Sequence, residues 1–144
     1  MDLLVFAFFA ATVVGSIYTT VKGRERVKNA LRSTFAELKF TTPEGMVSGT
    51  ALRVVKVSKQ GMPFAYDEVF TLQADYQHSD SFWYCVGPGP AYFLAIPMVT
   101  TGFRKVSVRW AIRPLTAERM RGALTGDAEA LRLAFGAKAD ELLA

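Results

Sequence analysis

The chain has a single cysteine and a single histidine in 144 residues, and each scarcity removes a class of chemistry. Cys85 alone cannot close a disulfide, so the fold must rest on packing, in keeping with a reducing cytoplasm. A zinc centre needs several N, S or O ligands, and His78, in the polar stretch Gln77–Asp80, has only Cys85 seven residues away as a companion. As a nucleophile Cys85 would have only His78 for a base; a buried, inert thiol beside Trp83 is the expectation. The loop Gly87-Pro88-Gly89-Pro90 is not a phosphate cradle. It lacks the Lys-Ser/Thr ending of a P-loop, and its prolines remove the N–H donors a phosphate would need. The acids Asp67, Glu68, Asp75 and Asp80 do not have the spacing of a calcium loop, and no metal or other cofactor is expected.

Charge is absent from Leu3 to Val21, LLVFAFFAATVVGSIYTTV. Nineteen helical residues span about 28 Å, close to the hydrocarbon thickness of a bilayer. Residues 1–21 therefore read as a transmembrane anchor. The competing readings are a buried central helix and a cleaved signal peptide. The first would show more polar residues at helical spacing, and the second a basic start, whereas no Lys or Arg precedes position 22. Ala7, Ala11, Gly15 and Thr19 recur every four residues, a small-residue stripe on which a second helix could pack.

The cations that the anchor lacks gather directly behind it. Lys22, Arg24, Arg26, Lys28 and Arg32 face one acid, Glu25, a local balance of +4 that equals the balance of the whole chain. Basic residues beside a span stay on the cytoplasmic side, so the sequence predicts an outside N-terminus and a cytoplasmic C-terminal domain. The collar is then a surface for anionic lipid headgroups, and the basic pI gives little support to nucleic-acid binding. Residues 22–40 are predicted as a basic amphipathic helix. Val27, Leu31, Phe35 and Leu38 form its apolar stripe, to be packed on the following domain or laid flat on the membrane.

Residues 41–144 are predicted as one α+β domain: about five mostly antiparallel strands, with the juxtamembrane helix and two C-terminal helices against the sheet. A breaker, Thr41–Gly45, precedes strands expected in 47–59, 64–76, 81–86, 91–99 and 103–113, with a turn at Thr100–Gly102. Ala91–Val99 is apolar without alternation. It reads either as burial on both faces or as an edge strand with a bulge at Pro97. In 103–113, Val106, Val108, Trp110 and Ile112 alternate with Lys105, Ser107, Arg109 and Arg113. Thr116 and Asp127 are predicted helix caps, Leu115 with Met120 a hydrophobic staple, and Gly126 the end of the first C-terminal helix, with the second running to about Leu142.

Seven aromatic residues fall between Phe82 and Trp110, more rings than a small core requires. Trp83, Tyr92, Phe93 and Trp110 are the candidates for a partner or ligand surface. The expected function is that of a single-pass membrane protein whose cytoplasmic domain is a non-catalytic subunit, scaffold or adaptor, partnered by membrane lipids and by another protein or a second copy. The alternatives are a membrane-tethered domain that binds lipid or an apolar ligand in a pocket walled by Phe93, Leu94, Ile96 and Met98, and an anchored enzyme using His78, Cys85 or the strand acids.

Overall fold

A computed structural model of the protein describes residues 23–59 and 81–136, an α+β arrangement with two antiparallel sheets and three helices. Helix α1 covers residues 23–37. A hairpin of β1 (Lys39–Thr42) and β2 (Gly45–Ser48) follows, then a 3-10 turn, Gly49–Ala51. The main sheet takes β3 (Arg53–Ser58), β4 (Phe82–Gly87), β5 (Ala91–Gly102) and β6 (Lys105–Leu115) in that order. Helices α2 (Ala117–Ala123) and α3 (Ala128–Phe135) complete the described chain.

Strand alternation divides the apolar side chains of the sheet between two cores. Phe82, Tyr84, Leu94 and Ile96 point one way and pack with Met120, Leu124, Ala130 and Leu131 of the two C-terminal helices. Cys85, Phe93 and Ala95 point the other way, to Phe35 of α1 and Phe40 of β1. The sheet is thus covered on both faces. This is why Ala91–Val99 has no polar alternation: β5 is a central strand whose residues 93–97 are all buried. Pro97 needs no bulge. The β5–β6 register runs without a shift through Pro97↔Trp110.

The C-terminal helices start where their caps predict. Thr116 Oγ1 accepts from the Arg119 amide at 3.1 Å, and Asp127 Oδ1 from the Ala130 amide at 3.1 Å. Leu115 and Met120, the staple pair, are both buried in the same core. A bulge between Val54 and Lys56 turns both Val55 and Lys56 toward these helices. Val55 enters the core, and Lys56 reaches the capping Asp127 at 3.9 Å, a half-exposed and therefore weak ion pair.

Four expectations are corrected. The helix anticipated over 22–40 ends at Glu37, and Lys39–Thr42 is a strand. The breaker Thr41–Gly45 is the turn of the β1–β2 hairpin rather than a boundary ahead of the strands. There Thr42 Oγ1 donates to the Gly45 carbonyl at 2.7 Å and accepts from the Glu44 amide at 3.2 Å. The run 47–59 is two strands, divided at Gly49, and the described residues form six strands in two sheets where one sheet was expected. The β5–β6 turn is Phe103-Arg104, later than the predicted Thr100–Gly102. The strand expected over 64–76, the anchor, Lys22 and the end of the last helix lie outside the described residues.

Gly49 passes so close to the end of α1 that a Cβ there would stand 1.9 Å from the Phe35 carbonyl oxygen. Its own amide donates to the Leu38 carbonyl at 2.9 Å. The obstacle is backbone and cannot swing aside. Gly49→Ala is expected to cost about 3 kcal/mol, read as a lowered midpoint of chemical denaturation. Arg104 sits at φ 58, a region that L side chains avoid. Arg104→Gly should therefore raise stability by up to about 1 kcal/mol in the same assay, less what the Arg104–Phe103 stack contributes.

Candidate functional site

Helix α1 is built in two halves. Its last turn enters the structure: Phe35 is buried, and Thr34 Oγ1 accepts from the Trp110 indole N–H at 2.8 Å. Its first turns carry charge outward. Arg24, Arg26, Lys28 and Arg32 are all exposed, and Arg24, Lys28 and Arg32, spaced by four, form one cationic stripe beside the half-buried row of Val27, Leu31 and Thr34. The membrane-surface candidates that lie within the described residues are therefore exposed, while the opposite end of their helix is fixed to the sheet. The small-residue stripe Ala7, Ala11, Gly15 and Thr19 lies outside the described residues.

Phe35 is the hub of an aromatic cluster. Its ring centroid lies 5.3 Å from Trp83, 5.5 Å from Trp110 and 5.8 Å from Phe40. Trp83 meets Trp110 edge-on at 5.0 Å, and Phe40 meets Phe93 at 5.1 Å. Such tilted and edge contacts suit the ring quadrupoles and add to the area buried. The four rings nominated as a partner or ligand surface do not share one. Trp83, Phe93 and Trp110 belong to the α1 side of the sheet, with Phe93 only 4% exposed, and Tyr92 lies on the other side, against Phe135 at 5.3 Å. Most of the aromatic excess goes into seating α1. Phe103, which the sequence offered only as one ring among seven, is 90% exposed.

The four-residue pocket wall is also divided. Phe93 faces the α1-side core, whereas Leu94, Ile96 and Met98 face α2 and α3. An open groove of about 400 Å³ lies elsewhere, lined by Ala51, Leu52, Arg53, Val86 and Leu133. It presents one cation and no nucleophile.

Cys85 is fully buried beside Trp83, as expected, with its thiol 3.6 Å from the Trp83 carbonyl oxygen. Burial pushes its pKa up to about 12, because the thiolate would lose its hydration, and burial likewise pushes the Tyr84 phenol up to about 12. Both groups are therefore held in the neutral form near neutrality. His78 and the acids of 67–80 lie outside the described residues. Among the described residues no three His, Cys, Asp or Glu side chains gather as a metal site, and no helix is long and apolar enough to cross a membrane. No family model, curated protein or solved structure matches the chain.

The raised pKa values fix a pH dependence. Well below pH 9 the Cys85 thiol is neutral in both folded and unfolded chains, and its contribution to stability is constant. Between the unfolded value of 9.0 and the folded value of about 12, the unfolded chain ionises first, and stability falls as pH rises, by roughly 1.4 kcal/mol per pH unit for this group. Tyr84 adds in the same direction above pH 10. Denaturation midpoints should hold through neutrality and drop above pH 9, with the drop reduced in Cys85→Ala. A thiol reagent at neutral pH should modify Cys85 only after denaturation.

Proposed function

We propose that the protein is a single-pass membrane protein, anchored by residues 3–21, whose cytoplasmic α+β domain serves as a non-catalytic subunit or adaptor of a membrane-associated assembly. One observation carries the reading: the uncharged stretch runs directly into a helix that exposes its cations in its first turns and buries its last turn in the domain. A helix seated in this way transmits the position of an anchor to the domain, which a flexible linker would not do. The positive collar favours the cytoplasmic orientation. The deeply buried thiol and the dispersed acids of the described residues offer little to a catalytic reading.

The test is the state of the full chain in its native membrane. It should resist an alkaline wash, leave the membrane only with detergent, and migrate in mild detergent with other proteins or in several copies. Migration as a lone monomer would remove the subunit reading. Orientation is tested by a new surface thiol, since Cys85 is inaccessible. Thr125→Cys, exposed after α2, should react with an impermeant thiol reagent only after the cells are opened.

A further inference from the structure

Among the described residues, β5 and β6 extend past the pairs that β5 forms with β4. Their register continues from Ile96↔Ala111 to Gly102↔Lys105, past the last β4–β5 pair, Trp83↔Ala95. At about 3.3 Å per residue this makes roughly 20 Å of two-stranded ribbon beyond that pair. Residues 100–105 at its end are exposed. Phe103 stands at the tip with the Arg104 guanidinium carbon 5.1 Å from its ring centroid, and Lys105 follows, also exposed. Arg104 occupies its place in spite of a positive φ that glycine would adopt without strain.

The contacts of α1 show where this tip lies. Pro43 lies close to Gly89 at the β4–β5 turn, where a Cβ would stand 2.8 Å from its ring, and Phe40 meets Phe93 edge-on. Thr34 bonds to Trp110, which pairs with Pro97, further along the ribbon. Followed backwards, the chain therefore moves from the β4–β5 turn toward the tip. From Thr34 to Gly23 the helix covers about 16 Å, and from Pro97 to Phe103 the strand covers about 20 Å. Val108 and Val106 continue the Trp110 row as half-buried residues on the α1 side, and Leu31 and Val27 continue the Thr34 row of the helix. The cationic start of α1 and the tip of the ribbon thus lie toward one end of the domain.

We propose that the tip, Phe103-Arg104-Lys105, is a second contact with the membrane: the Phe103 ring enters the boundary between headgroups and acyl chains of an anionic leaflet, and Arg104 and Lys105 pair with lipid phosphates. The inference rests on the reading of residues 3–21 as an anchor. One attachment leaves a domain free to tilt, and a second at the end of a stiff ribbon fixes its inclination. An aromatic ring flanked by cations suits an interface that is apolar below and anionic above. The tip is one ring and two cations on a narrow turn, far short of the roughly 800 Å² per partner of a stable protein interface.

The experiment uses the full chain with Phe103→Cys, labelled with a polarity-sensitive dye and reconstituted into phosphatidylcholine vesicles with or without phosphatidylglycerol. The buried Cys85 does not compete for the label. Glu44→Cys, exposed on the β1–β2 turn near the opposite end, is the control. The dye at position 103 should shift to the blue and brighten several-fold in the anionic vesicles, and the shift should fall in high salt or when Arg104→Ala and Lys105→Ala are added. The dye at position 44 should stay water-like. If position 103 is water-like in both vesicles while the chain survives an alkaline wash, the anchor stands and the tip contact is overturned. If the chain washes off, the anchor reading fails and this inference with it. A shift that grows with protein density and ignores lipid charge would mean contact between proteins, and it too would overturn the proposal.

Discussion

The seating of Phe35 is the contact on which the rest of the structure depends. One ring joins α1, the β1–β2 hairpin and strands β4 and β6, through Phe40, Trp83 and Trp110. The backbone closes over the same point. Leu38 N–H bonds to the Phe35 carbonyl, Gly49 N–H to the Leu38 carbonyl, and the glycine admits the close approach. Burying a side chain of this size contributes about 1.5–3 kcal/mol, and the surrounding rings bury theirs only because α1 lies over them. Without that seat one face of the sheet would be bare.

A sheet covered on both faces has little room for a deep site between its layers. The helix pair fills one side with Met120, Leu124 and Leu131, and Phe35 with Phe40 fills the other. Among the described residues, the features open to partners lie at the periphery: the cationic first turns of α1, the groove beside Arg53 and Leu133, and the β5–β6 ribbon.

Much of the fold could be read locally. Thr116 and Asp127 announced their helices because an N-cap depends on a few adjacent residues. The alternation in β6 and the unbroken apolar run of β5 reported half and full burial through the period-2 geometry of a strand. The end of α1 was not legible, because Leu38 continues the helical apolar spacing and only the hairpin that follows draws the chain away. Nor was the division of 47–59, since Gly49 breaks the strand only because the chain there returns to the end of α1, twelve residues earlier. The aromatic excess was visible as composition, but which rings face in depends on register across three strands and on α1.

The sequence by itself determined what depends on neighbouring residues: the caps, the strand periodicities, an uncharged stretch long enough to span a bilayer, and a collar holding the whole net charge of +4. Tertiary structure alone decided that Phe93 and Cys85 are core, that Trp110 holds α1 through Thr34, and that Phe103 is the ring left in solvent. The reason is that burial is a property of pairs of surfaces. Trp110 lies beneath a helix from 76 residues away, and Phe103 stands in the exposed β5–β6 turn.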